Sequence, residues 1–241
     1  CDNSIVMMTG DPMSGGEMDI ISPTIGMAFG RPFAIDPFGQ IYFWSTQGAI
    51  YKMTPGALPV PISQQIKRRV EEVDLLTHRV SMVWDIRRQG LWVFVTPIDV
   101  TQDTTNFFYD ERVNGWFPDA FQQAGFNPMA AYVLDSDQPD DRVIVLGGND
   151  GYMRCVVDDA TNDDGYDVDS FAILGPISTK QFDDVKLCSL QAMLGDDSAE
   201  VTYEVFAGET SEQALASEAV VTGTWSAGRN TEHPIHRADH V

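Results

Sequence analysis

Short runs of β-branched and aromatic residues recur along this chain at a nearly constant interval, and that recurrence constrains the fold more than any other feature. Gln40-Ile41-Tyr42-Phe43-Trp44, Leu91-Trp92-Val93-Phe94-Val95 and Val143-Ile144-Val145-Leu146 each read as a strand, punctuated by Gly, Pro and Asp. Each is followed by a turn and a second run: Ala49-Ile50-Tyr51-Lys52-Met53, Asn106-Phe107-Phe108-Tyr109-Asp110 and Tyr152-Met153-Arg154-Cys155-Val156. The unit is a hairpin, and it repeats: Ile41 to Leu91 spans 50 positions and Leu91 to Val143 spans 52. Intervals in this range mark blade-like β repeats. A shorter echo, Asn3-Ser4-Ile5-Val6-Met7-Met8 before Thr9-Gly10-Asp11-Pro12, reads as one more unit cut by the start of the sequence. Thr46-Gln47-Gly48 and Asn149-Asp150-Gly151 supply Gly where a hairpin turn needs positive φ. A blade of about four strands cannot bury both faces alone, so several must stack before their aromatic surfaces leave water. The expectation is an all-β chain whose residues 1–175 form β-propeller-like repeated blades, part of a propeller.

One segment breaks the pattern. Ile62, Ile66, Val70 and Val73 fall at i, i+4, i+8 and i+11, which predicts one short helix near 63–75 with Ser63 as its N-cap. Its Lys67-Arg68-Arg69 cluster is the densest basic spot in the sequence. One reading is a solvated face balanced by Glu71, Glu72 and Asp74. The sharper reading is a docking patch for an acidic neighbouring subunit. After Gly175-Pro176 the strands lengthen and alternate more cleanly, as in Lys186–Leu194 and Glu200–Phe206, with Gly195-Asp196-Asp197-Ser198 as a turn between them and one helical turn over 211–216. Residues 176–241 are therefore expected to form an antiparallel β-sandwich or extended sheet. No Pro-, Ser- or Gly-rich linker separates the two parts, so they are expected to pack together.

Charge excludes whole classes of function. The 241 residues carry Lys+Arg 15 against Asp+Glu 36, a formal net charge of -21, so phosphate backbones are repelled and sequence-reading DNA binding is not expected. A hydrophobic fraction of 43% is ample for a packed core. No apolar run approaches the roughly 18 to 20 residues that cross a bilayer, so no membrane insertion is expected. Cys1, Cys155 and Cys188 are sparse and lack the short spacings of zinc or redox motifs. Cys155 and Cys188 lie in apolar alternating segments and are expected to be buried as small hydrophobes. The first residue is not Met and the ends carry no start or stop signal, so the sequence reads as an excerpt from a longer polypeptide.

Catalytic chemistry finds no anchor. Hydrolysis needs two positioned carboxylates or a nucleophile with a base, yet no G-x-S-x-G elbow, H-E-x-x-H pair or P-loop occurs. The Ser-x-Asp-x-Gly-x-x-Trp box of sialidase-type propellers has no copy: Gly147–Gly151 keeps only the turn and Ser45-Thr46-Gln47-Gly48 lacks the Asp. The most acidic window, Asp158–Asp169, offers oxygen ligands but fails the EF-hand spacing, so Asp163-Asp164-Gly165 reads as a turn between strands. His78, His233, His236 and His240 include an i, i+4 pair, His236 and His240, but Pro234 argues against a helix there and the three C-terminal ones read as solvated. Trp44, Trp92 and Trp116 have the chemistry to stack on sugar rings, but their place in the repeats favours packing between blades. No catalytic residue, cofactor-binding residue or metal ligand is assigned, and the chain is not expected to be an enzyme.

Several stretches carry a family likeness: Gly10-Asp11-Pro12 with Gly15-Gly16, Asp36-Pro37-Phe38-Gly39 running into Gln40–Gly48, Pro61-Ile62-Ser63, Leu146–Tyr152, Leu174-Gly175-Pro176, Thr222-Gly223-Thr224-Trp225 and Gly228-Arg229-Asn230. Together they resemble the β-propeller structural proteins of tailed bacteriophages, a group that includes the tail nozzle or tail tubular proteins of short-tailed phages. The resemblance runs from about Asn3 to Asn230 and is made of turn residues. It implies a homo-oligomeric ring in the virion tail, other tail and adaptor proteins as partners, and genomic DNA passing through the lumen without specific binding. It carries over no catalytic or binding residue. The alternatives are a carbohydrate-binding or glycan-processing propeller and a peptide-binding scaffold propeller.

Overall fold

A computed structural model describes residues 3–99, 105–158, 160–175, 177, 186–232 and 236–237. The protein is built almost entirely of small antiparallel sheets and divides into two compact units, Cys1–Asp169 and Ser170–Val241.

The first unit opens with a two-stranded ribbon, β1 (Ile5–Thr9) and β2 (Glu17–Ser22), and continues as three successive meanders. The first meander is β3 (Phe33–Ile35), β4 (Ile41–Trp44), β5 (Ile50–Met53) and β6 (Val60–Pro61). The second is β7 (His78–Asp85), β8 (Gly90–Pro97), β9 (Asn106–Asp110) and β10 (Gly115–Asp119). In both, every strand pairs antiparallel with its neighbour in sequence. The third has three strands, β11 (Pro128–Leu134), β12 (Val143–Gly148) and β13 (Met153–Cys155), and a two-residue hairpin follows, β14 (Asn162–Asp163) and β15 (Tyr166–Asp167). Asp164 and Gly165 both take positive φ in that last turn, as a mirror-image hairpin turn requires.

The first strands of the three meanders lie side by side, β3 against β7 and β7 against β11. Just before β3, Arg31 forms a parallel bridge to Ser81 of β7, and the Ser81 hydroxyl accepts the Ala131 N–H of β11 at 3.0 Å. Among the described residues the sheets do not close into a barrel or a propeller.

The core lies between the meanders. Tyr42, Trp44 and Ile50 of the first pack with Val80, Met82, Trp84, Leu91, Val93, Phe107 and Tyr109 of the second. On the opposite face of the second sheet, Val83 and Phe94 pack with Ile144 and Leu146 of the third. The second sheet is thus buried on both sides: β7 and β8 are buried along most of their length, and β8 carries the unbroken apolar run Leu91-Trp92-Val93-Phe94-Val95 instead of alternating. Within that sheet Gly90 lets β9 come close to β8: a Cβ there would sit 2.5 Å from the Tyr109 carbonyl oxygen.

The helix expected near 63–75 is shorter than its periodicity suggests. A 3-10 turn over Gln64–Ile66 leads into α1 (Lys67–Glu71). Ile62, Ile66, Val70 and Val73 all turn toward the core, so the spacing reports the buried face correctly although only five residues are α-helical. Ser63 occupies the expected N-cap position of the 3-10 turn, but its side chain makes no cap bond. Its buried hydroxyl accepts the Ile50 N–H at 3.0 Å, a partner across the sheet that no local pattern shows.

In the second unit, β16 (Lys186–Leu187), β17 (Leu190–Leu194) and β18 (Val201–Val205) pair with β21 (His236–Arg237), β20 (Gly228–Glu232) and β19 (Val221–Trp225), respectively. The pairs are nested, so two arms of the chain run antiparallel as one interrupted ribbon, with α2 (Ser211–Ala216) in the connection between them. Thr210 caps α2, its hydroxyl accepting the Gln213 N–H at 3.2 Å. The turn around Gly195–Ser198 therefore joins strands of two different pairs and does not make a hairpin. Tyr203 and Trp225 stack with ring centroids 4.5 Å apart. No described residue of this unit is buried.

Candidate functional site

Two surfaces of the first unit gather charged and polar side chains, and the turns of the meanders position the first. Asp36 starts the β3–β4 turn and Asp85 starts the β7–β8 turn; the β11–β12 connection begins with Asp135. These residues are 49 and 50 positions apart, a repeat as regular as that of the strands. Asp36 accepts the N–H groups of Phe38 and Gln40, each at 2.8 Å, and Asp85 accepts those of Arg87 and Arg88 at 3.0 and 3.1 Å as well as Trp92 Nε1 at 3.3 Å. A carboxylate that takes up several turn donors fixes the loop without help from water. Asp36 and Asp85 are buried, whereas Asp135 is exposed and pairs with Arg142 at 3.1 Å.

Beside Asp36 the first two meanders are joined by a polar knot. The Tyr42 hydroxyl donates to Glu111 at 3.1 Å, Lys52 forms an ion pair with the same carboxylate, and the Tyr42 ring stacks on Trp84 at 5.0 Å. Burial, and then the Glu111 carboxylate, pushes the Tyr42 hydroxyl far above the ordinary tyrosine range, so it stays a proton donor. Burial also raises Tyr109, whose hydroxyl reaches Asn114 at 2.8 Å. Arg112 holds Asp110 below the usual carboxylate range through paired hydrogen bonds of 3.0 and 2.6 Å. These groups hold one another. A reacting pair would aim them at a shared space.

The second surface is an open cleft of about 430 Å³ between α1 and the second meander. Val73, Val95 and Phe107 form its apolar part, and Arg68, Arg69 and His78 bring positive or hydrogen-bonding groups to it. The β4–β5 turn crosses α1 at Gly48, φ 70, where a Cβ would lie 3.3 Å from Glu71 Cα. Within the helix Lys67 pairs with Glu71 at 3.6 Å and Arg68 with Glu72 at 3.0 Å. Arg69 has no carboxylate partner among the described residues. His78 Nδ1 lies 3.1 Å from the Asp74 carbonyl oxygen and 3.0 Å from the Thr77 hydroxyl. Sequence reasoning found the Lys67-Arg68-Arg69 run but not its juxtaposition with His78, which lies on a strand.

The acidic window from Asp158 to Asp169 is spread out by its own ion pairs. Asp158 binds Arg87 and Arg88 at 3.2 and 3.1 Å, and Asp164 shares Arg154 with Asp150. Arg154 also lies 4.0 Å over the Phe126 ring. Burial raises Asp163, and burial followed by Asp163 raises Asp119. Asp159 lies outside the described residues, and among the described ones no three His, Cys, Asp or Glu side chains are grouped to hold a metal ion. The expected burial of cysteines is overturned: Cys155 and Cys188 are both exposed. Cys155 sits on β13, the edge of its sheet, and Cys188 lies between strands of a unit without buried side chains. Cys1, His233 and His240 lie outside the described residues, and of His236 only the backbone pairing in β21 is described. The repeat tryptophans are in use as packing groups: Trp44 is fully buried, Trp92 lies against Phe94 and Phe108, and Trp116 Nε1 donates to the Ile62 carbonyl at 2.8 Å.

No helix of the described chain is long and apolar enough to cross a membrane. In comparisons with known proteins, no family model and no curated protein matches this chain.

Proposed function

We propose that this chain is a structural subunit of a ring in a phage tail or nozzle, and that its first unit is part of a β-propeller. The carrying observation is the side-by-side arrangement of the first strands of three successive antiparallel meanders, with aromatic layers packed between the sheets. This is the way blades are arranged about an axis. The turn carboxylates and the Tyr42–Glu111–Lys52 knot favour an architectural role, because each is spent on fixing one meander or joining two.

Acidity then has a mechanical use. A net charge of -21 on each subunit makes the wall of a conduit repel phosphate, so DNA slides past without the counterion-releasing contacts that would hold it. Sedimentation velocity on the purified protein tests the reading together with a DNA mobility-shift titration. A ring-sized particle with no affinity for duplex DNA at physiological salt is the expected result. A monomer at all concentrations, or sequence-independent binding at that salt, overturns it.

A further inference from the structure

We infer that the cleft beside α1 seats a carboxylate-bearing segment of a second copy of this chain. The inference rests on the ring reading and names the contact that would build it.

Charge decides the partner's chemistry. Two copies that each carry a formal net charge of -21 repel one another, so a stable contact has to set a cation of one against an acid of the other. Most described bases are already committed within the chain: Lys52 to Glu111, Arg87 and Arg88 to Asp158, Arg112 to Asp110, Arg142 to Asp135 and Arg154 to Asp150. Arg31, Arg79 and Arg229, like Arg69, have no carboxylate partner among the described residues, and the cleft differs from them in setting two adjacent arginines beside an apolar floor. Arg68 is half-satisfied by a single bond of 3.0 Å to Glu72, and Arg69 has no carboxylate among the described residues. Both border an apolar floor of Val73, Val95 and Phe107. An entering acidic side chain is drawn by the guanidinium groups while its neighbours cover that floor, which removes apolar surface from water and strengthens the ion pair by excluding solvent.

Geometry decides the kind of assembly. The cleft sets Arg68 and Arg69 against the single acid Glu72 and is not its own complement, so the surface that fills it lies elsewhere on the second copy. Repeated head to tail, such a contact closes a ring where the rotation between successive copies allows it.

Sedimentation velocity on the full chain, compared with Arg69→Glu and Arg69→Ala, tests this. Arg69 is exposed, so unchanged melting temperatures are expected and confirm folding. The expected result is that the native chain self-associates, added salt weakens it, Arg69→Ala weakens it about tenfold, and Arg69→Glu weakens it further. Native and variant chains associating equally would overturn the cleft as the contact while leaving the ring reading standing. A native chain that stays monomeric at every concentration sinks both.

Discussion

The two units use the same building block, an antiparallel pair of strands, and arrive at opposite kinds of interior. In the first, sheets stack face to face and Tyr42, Trp44, Leu91, Val93 and Phe94 lose essentially all contact with water. In the second, the arms pair in a ribbon, and even Tyr203 and Trp225, stacked at 4.5 Å, are only half-buried. A strand pair satisfies backbone hydrogen bonds in either setting. Only the stacking of one sheet on another removes enough apolar surface to outweigh chain entropy, and isolated two-stranded ribbons are marginal in water. Secondary structure alone is therefore a poor guide to where the stability of this molecule resides.

That contrast is sharpest for two tryptophans. Trp84→Ala opens a cavity between the first two meanders and is expected to cost about 3–5 kcal/mol, whereas Trp225→Ala loses mainly a stacking contact of about 1 kcal/mol. Denaturant midpoints of the two variants check this, and equal losses would break the comparison. Next come the turn carboxylates. Asp85→Ala strands the N–H groups of Arg87 and Arg88 and Trp92 Nε1, at an expected cost of about 1–3 kcal/mol, while Asp135→Ala, at the matching but exposed position, stays within about 0.5 kcal/mol of the native protein. The same denaturation series reads both.

The smallest effect is one of pH. Burial, and then Asp163, raises the Asp119 carboxyl, so the folded chain binds its proton more tightly than the unfolded chain does. Stability contributed by this group falls as pH rises from the ordinary carboxylate range through that raised value, and the loss persists at neutral pH. Asp119→Asn removes the loss. The variant is expected to melt about 1 °C above the native chain at pH 7 and level with it, or below, at pH 3. A native advantage that grows with pH would contradict the assignment.

Much of the first unit was legible in the sequence because its hairpins are local. Gly48 and Gly151 sit where the β4–β5 and β12–β13 turns need positive φ, and the flanking runs identified which strands pair there. What stayed hidden depends on distant partners. Alternation identified Leu190–Leu194 and Val201–Val205 as strands but could not tell that each pairs with a segment far along the chain instead of with the other. Cys155 lies in an apolar run, yet whether its strand is central or at an edge is a property of the whole sheet. Ser63 has the right residue type and position for a helix cap, but the Ile50 N–H claims its hydroxyl. The recurrence of Asp36, Asp85 and Asp135 was available in the sequence and marks the turns as regularly as the aromatic runs mark the strands.

The nesting of the ribbon pairs also sets an order of assembly. Val205 and Val221 are 16 positions apart, whereas Lys186 and Arg237 are 51 apart, so closing the outer rung first would cost about 1 kcal/mol more in chain entropy than closing the inner one. Loop entropy therefore favours closing the ribbon outward from α2, each rung shortening the loop left for the next.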